Sequence, residues 1–571
     1  MSGQERSSKA SQDSLLKIVG IVFQGLMTLY LLAMLVGLPL FFTDGYTTIG
    51  TDKAMFFRKC GILMGVVILP VAILYAGLLG LKKNRSKNLL DCEINKTTKD
   101  ECTSGLSKTD VFTMIFFASL PLSFVLSDYK EQAVWGARGW YMGLIPQAIV
   151  VITFFLVSKL WKPKKWVLGA IFFVSLLIFS LGYLNRFGIY PIPMRYAMPS
   201  FISTIGNINW YCGYVVTVFF LSVFLYWSGV FDRNILWKIL GTLYLFFGFA
   251  TLVTQGSASG LVTVFVMLLI LLVRSGDDIQ KLMKFWEIAF CMSFSCLITD
   301  LFRVLFPEAM VFDDWYISIL TKGWFPILVT IVSVVFLMIC DRGYRAEKEG
   351  KESGKKIGKT LKKVNLAVVI LTVLSAIAFV VLMAIKTMAD GGVTIASYTD
   401  LLHFSGTWGS NRGATWMAGL FTFAKQNIIH KLVGVGPDCM SAYLKSCKDP
   451  WLQELLKECF GSAVLTNAHN EWLNILVNEG LLGAIGFIGM MCSSIREFLA
   501  RKGEQRGLLK TYVAENRLIA AACGFSLLAY TINNMFSFQQ SVNLVTMFIL
   551  LGIGKAFYSK KDKLENSDTQ E

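Results

Sequence analysis

Residues 365–385 read NLAVVILTVLSAIAFVVLMAI, a run without one charged residue, bounded by Lys362 and Lys363 before it and by Lys386 after it. As a helix this run is about 30 Å long, the thickness of a bilayer's hydrocarbon core. Comparable runs recur along the 571-residue chain, of which 54% is hydrophobic and only 16% charged, with a mean hydropathy of +0.57. Soluble chains carry about 25% charged residues. The pattern predicts an all-α, polytopic integral membrane protein with about fourteen transmembrane helices. It excludes a soluble enzyme, a secreted disulfide scaffold and a nucleic-acid-binding domain.

Outward from this run the chain divides unevenly. Residues 1–385 hold eleven expected spans, 386–470 form one long loop with helical patterns of its own, and 471–571 hold three further spans and a tail. The first apolar run lacks a small-residue cleavage site and reads as a retained span rather than a signal peptide. The net charge of +16 resembles a nucleic-acid footprint until its distribution is counted. With both termini on the same side, 38 of the 54 Lys and Arg residues fall on that side and 16 on the other. Positive charge accumulates on cytoplasmic loops, so the termini and the basic stretch 341–363 are expected in the cytoplasm, with 386–470 external.

The twelve cysteines contain no C-x-x-C pair and no zinc-ligand spacing, and no metal or other cofactor is expected. Cys92 and Cys102 follow Lys82, Lys83, Arg85 and Lys87, and are expected cytoplasmic and reduced. Cys439, Cys447 and Cys459 lie in the long loop, where a Cys447–Cys459 bridge is open to geometry.

Loops longer than about 15 residues in compact proteins are usually functional or disordered. This one holds three Trp, the helical patterns RGATWMAGLFTFAKQ and WLQELLKECF, and all three histidines of the chain. His403 reads as a surface or packing residue, and His430 as a cation at a helix end. His469 stands where the loop re-enters the membrane, beside Asn470, where a partly desolvated imidazole is costly unless it has partners or work. In the run HNEWLNILVNEGLLGAIGF, Gly480, Gly483 and Gly486 invite the close approach of another helix. That would pin the segment while its outer end presents an imidazole suited to general-base work.

His469-Asn470 followed by Gly480-x-x-Gly483 resembles the signature of the bacterial O-antigen ligase and O-antigen polymerase superfamily. Three further stretches are similar in order and spacing. They are Ser410-Asn411-Arg412 with Trp416 and then Val433-Gly434-Val435-Gly436-Pro437; Gly206-Asn207-Ile208-Asn209, with Ile208 where the family has Pro; and Gln255-Gly256-Ser257-Ala258-Ser259-Gly260 at a helix break. The resemblance covers about residues 200–490.

It implies a membrane glycan polymerase or ligase that transfers a preassembled glycan from a polyprenyl-diphosphate donor to a hydroxyl of a glycan or lipid-linked acceptor, without a metal ion and with inversion. Arg412 would hold the diphosphate, since guanidinium grips phosphate oxygens as a fork, and His469 would take the acceptor proton. Substrate contacts are implied for Asn470, Trp416, Gly434, Gly436, Asn207 and Asn209. The two glycines either let the backbone approach phosphate or turn the chain, and the two asparagines either bind substrate or cap the sixth span.

Where relatives carry a second arginine, this chain has Ser257-Ala258-Ser259; Arg195 is the preferred substitute, with Arg186 and Arg303 behind it. A ligase acting on a lipid, teichoic acid or protein acceptor shares all these motifs with a polymerase. A homologue that has lost activity is a further reading. A secondary transporter is the alternative of another class, although Glu287, Asp300 and Glu479 are among the few acidic residues within expected spans and no repeat is visible.

Overall fold

In the computed structural model, residues 3–93, 106–310, 315–395, 401–500 and 509–568 are described, with side chains over 11–84, 106–310, 315–395, 401–500 and 514–559. The chain is helical nearly throughout. Among the described residues the only paired strands are Phe201–Ile202 and Gly206–Asn207, two residues each and antiparallel. Among the described residues twelve helices are long and apolar enough to cross a membrane, so the protein is an all-α, multi-pass membrane protein. The helix that carries 365–385, Glu352–Ala389, has the highest hydropathy of the twelve and no buried residue in its most apolar stretch. In water that combination would be untenable; against lipid it costs nothing.

Two of the fourteen expected spans stand outside that set. The stretch at 142–160 is a twelve-residue helix, Leu144–Phe155, prolonged by a five-residue π turn, Leu156–Leu160. The stretch at 518–536 lies in helix Leu509–Asn533, which buries polar side chains at Asn516, Ser526 and Asn533.

The core is centred on Ile208–Trp227 and Ser541–Ser559, the two spans most enclosed by protein. Aromatic rings fill the space around the first: Phe219 lies 6.1 Å from Phe179, 6.0 Å from Tyr244 and 4.9 Å from Phe249. Because lipid tails are as apolar as these side chains, association rests on close packing and interhelical hydrogen bonds. Examples are Tyr211 with Thr251 at 2.6 Å and Tyr30 with Thr153 at 3.2 Å. Helix Gly480–Leu499 lies so close to Lys108–Leu126 that a Cβ on Gly486 would strike the Phe116 backbone.

Residues 401–470 fold as four helices, Trp408–Lys425, Ile428–Val433, Met440–Ser446 and Pro450–Phe460. They share a small apolar core that includes Ala414, Ala418, Leu444, Leu452 and Leu455. Asp449 caps the last of them, accepting from the backbone N–H of Trp451 and Leu452. Cys447 and Cys459 are both free thiols; the side chain of Cys92 and the whole of Cys102 lie outside the described residues.

Candidate active site

Arg412 is delivered by an unusual piece of backbone. Gly409, Ser410 and Asn411 have φ of 62°, 59° and 66° in succession, and left-handed non-glycine residues cost about 1–3 kcal/mol each. The hook is tied down where Asn411 Nδ2 donates to the carbonyl of Cys459 at 2.9 Å. It turns the Arg412 guanidinium back on itself, so that Nη1 donates to the Gly409 carbonyl at 2.9 Å and Nε to the Phe536 carbonyl at 3.1 Å. Among the described residues no carboxylate pairs with Arg412. Burial pulls its pKa below the usual arginine range, the signature of a cation held without its counterion.

His469 is also in a left-handed conformation, φ 45°, and its N–H donates to Asn467 Oδ1 at 3.0 Å. The ring stands edge-on to Phe538, with centroids 5.1 Å apart and planes at 78°. Neither ring nitrogen has a hydrogen-bond partner among the described residues. Burial first, and the positive charge of Arg412 second, lower its pKa to about 4. The imidazole is therefore neutral at pH 7, with a nitrogen lone pair unengaged. Asn470 begins helix Glu471–Asn478 as its cap, accepting from the Leu473 N–H at 3.1 Å.

Phe536 and Phe538 belong to an element the sequence reading missed, the connection from helix Leu509–Asn533 to Ser541–Asp568. Glu471 anchors it. The Glu471 N–H donates to the Asn534 carbonyl at 2.9 Å, and its buried carboxylate accepts from Tyr530 Oη at 2.9 and 2.8 Å and from Asn534 Nδ2. Trp416 lies 5.9 Å from Phe536, and Trp140 lies 4.7 Å from Phe538 and 5.3 Å from Trp210. In this connection Ser537 Oγ, both amide atoms of Gln539 and Nε2 of Gln540 are buried with no partner among the described residues. The sequence signal is Asn533-Asn534-Met535-Phe536-Ser537-Phe538-Gln539-Gln540: four amides and two alternating aromatics are more than a plain linker between spans needs.

The head of Ile208–Trp227 forms the other side. Asn207 caps this helix, accepting from the Asn209 N–H at 2.9 Å, while Asn209 Oδ1 accepts from Ser257 Oγ at 2.9 Å. Ser257 and Ser259 meet at 2.9 Å, and Cys212 Sγ lies 3.7 Å from Ser259 Oγ and 3.6 Å from Asn533 Oδ1. Arg186, not Arg195, reaches the 255–259 break: it donates through Nη2 to the Gln255 carbonyl and through Nη1 to the Pro199 carbonyl at 2.7 Å. Arg195 is 76% exposed and paired with Asp44 at 2.8 Å, and Arg303 donates to Thr321 at 2.9 Å.

Gly434 and Gly436 lie elsewhere. With φ of 83° and 126°, they let the chain meet the junction of Glu471–Asn478 and Gly480–Leu499, where a Cβ on Gly434 would overlap the Asn478 backbone. Val435 and Gly436 N–H donate to the carbonyls of Val477 and Asn478 at 3.2 and 3.1 Å. The adjoining Asp438 is buried, accepts from the N–H of Ala137 at 2.8 Å and of Met142 at 3.1 Å, and is raised by burial to about 7. His403 is buried between Asp390 and Thr394, both at 3.1 Å, and His430 Nδ1 lies 2.8 Å from the Gly434 carbonyl.

The structure thus gathers Arg412, Trp416, His469 and Asn209 with the 255–259 break, and leaves Gly434, Gly436 and Arg195 apart. The chain matches no known family model and no curated protein.

Proposed function

We propose that the chain is a membrane glycan polymerase or ligase of the O-antigen ligase and polymerase type. It would move a preassembled glycan from a polyprenyl diphosphate to an acceptor hydroxyl, in surface polysaccharide synthesis at a cell membrane. In this reading all fourteen apolar helices cross the membrane, both termini are cytoplasmic, and 386–470 covers an external active site. The 38 to 16 division of basic residues supports that orientation. The carrying observation is the pairing of Arg412, a desolvated cation that no carboxylate meets among the described residues, with His469, a neutral imidazole whose ring nitrogens have no hydrogen-bond partner among them.

The acceptor oxygen attacks the anomeric carbon while its proton passes to His469. The bond from that carbon to the diphosphate oxygen breaks, and the electron pair leaves on the diphosphate. Arg412 meets the charge that develops there, the kind of fixed electrostatic support that supplies the largest share of many rate enhancements. Attack opposite the departing diphosphate inverts the anomeric carbon. An imidazole at about 4 is a weak base, but a bound diphosphate neutralises Arg412 and lifts the depression that its charge imposes. The donor thereby activates the base. The unspent amides of Gln539 and Gln540 and the hydroxyl of Ser537 suit a polyhydroxylated ligand.

Transfer from a lipid-linked glycan by purified protein tests this directly. His469→Ala should lose product by about 10²–10⁴-fold with donor affinity nearly unchanged. Arg412→Ala should weaken donor binding too, and Arg412→Lys should restore only part. Turnover should survive EDTA. A His469→Ala protein with near-normal turnover would overturn the assignment and favour transport. Polymerase is preferred to ligase because no feature marks a specialised acceptor.

A further inference from the structure

Lys165 opens helix Lys165–Asn185, whose other end delivers Arg186 to the site about 30 Å away. At the Lys165 end, between this helix, Ile208–Trp227 and Leu509–Asn533, lies a cavity of about 580 Å³. Its walls are apolar, made by Leu168, Phe172, Leu221, Leu225, Phe231 and Ile519. Its depth from Lys165 to Phe172 is about 10 Å along the helix.

The mouth is charged. Among the described residues Glu515 is shared by two cations, accepting from Lys165 and, at 3.0 Å, from Arg233. Both cations still face outward, with 48% and 62% of their side chains exposed. Lys162 and Lys164 adjoin them in the sequence. Trp166 and Trp237, 53% and 39% exposed, flank the mouth as aromatic residues do at a membrane–water boundary. In the wall between Lys165 and Phe172, a Cβ on Gly169 would touch nothing within 4 Å, so the space is open to the helix itself.

The geometry points to a binding site for one anionic phospholipid, its acyl chain in the groove and its phosphodiester against Lys165 and Arg233. An apolar cleft at bilayer depth loses dispersion contacts unless a chain fills it, and basic pockets between transmembrane helices hold anionic headgroups. The net positive rim selects an anionic lipid over a zwitterionic one bearing the same phosphate. The site is remote from Arg412 and His469, and does not depend on the glycan-transfer reading.

The test is lipid binding to the purified full chain in neutral detergent, read by native mass spectrometry, with dioleoyl phosphatidylglycerol and dioleoyl phosphatidylcholine as probes. The native protein should hold phosphatidylglycerol about fivefold more tightly. Lys165→Gln with Arg233→Gln should abolish the preference. Gly169→Leu, placed in open space and so compatible with the fold, should weaken both lipids by filling the groove. Equal binding of the two lipids by the native chain, or a Gly169→Leu protein with undiminished phosphatidylglycerol binding, would overturn the site. So would a groove that holds neither lipid because a second copy of the chain covers it, read as a dimer mass.

Discussion

Arg412 Nε donates to the carbonyl oxygen of Phe536, 3.1 Å away and 124 residues along the chain. Two residues further, Phe538 supports the His469 ring. One short connection therefore sets the position of both the cation and the imidazole, while Glu471 ties that connection to the start of the histidine's own helix. The two groups are held at a fixed separation by a shared mount.

If Arg412 depresses His469 through its charge, Arg412→Ala should raise the imidazole pKa. Because burial is the larger cause, the value should stay below the ordinary histidine range near 6.5. Nitrogen-15 NMR of labelled histidine, in native and variant protein, measures this. A lower pKa in the variant would show that the two groups do not interact as described. The same measurement with undecaprenyl diphosphate should show a rise in the native protein alone.

Phe538→Ala removes the edge contact that orients the His469 ring without touching the diphosphate group. Transfer should fall about ten- to hundredfold, the cost of a misplaced reacting group, while donor affinity is preserved. Phe538→Tyr, which keeps the ring, should recover most of the rate. Equal losses in rate and donor affinity would place Phe538 against the substrate instead.

The architecture was legible because period and length are local properties. A charge-free run such as 365–385 has one physical solution, and His469 could be picked out as a candidate because an imidazole beside an expected span is unusual. The helices within 401–470 were readable for the same reason, their apolar periodicity. The shared mount was not readable, because nothing near Arg412 in sequence indicates that its partner is the carbonyl of residue 536. Arg195 and Arg186 show the same limit. Both precede the Gly206-Asn207 motif, and only the packing of Lys165–Asn185 against Ile235–Thr254 decides which one reaches the Gln255 carbonyl. The alternatives for Asn207, a substrate contact or a cap, differ in long-range contacts of this kind, and the structure shows the cap.

At Gly434 the expected effect is on stability. Alanine there meets a positive φ and the Asn478 backbone together, which should cost about 2 kcal/mol or more. Thermal unfolding in detergent, with donor binding measured below the transition, separates this from a phosphate contact. A stable Gly434→Ala protein that fails to bind donor would favour the phosphate role.

Asp438, raised to about 7, favours its neutral form in the folded protein. A carboxyl whose pKa rises on folding stabilises fully below its unfolded pKa near 3.9, and that contribution is lost as pH climbs towards 7. Asp438→Asn keeps an oxygen for the Ala137 and Met142 N–H groups and removes the titration. The variant should flatten the fall in melting temperature between pH 4 and 7, and match or exceed the native protein at pH 7.5. An unchanged slope would remove Asp438 from the pH dependence.

Orientation is tested with thiol labelling on a background lacking accessible native cysteines. An impermeant reagent applied to intact cells should modify Lys448→Cys, beside Asp449, and miss Lys355→Cys. The reverse pattern would place Arg412 and His469 on the cytoplasmic side.

The mount at 534–540 also sets an order for biosynthesis. Arg412 and His469 leave the ribosome well before the connection that supports them, and the helix after it must be inserted before that connection is drawn against Glu471. A nascent chain that has already threaded most of its helices through the membrane still lacks both the carbonyl that holds its arginine and the ring that steadies its histidine. The arrangement of Arg412 and His469 is thus withheld from incomplete chains, and any ribosomal stall or clipping upstream of residue 534 yields a protein that resides in the bilayer without it.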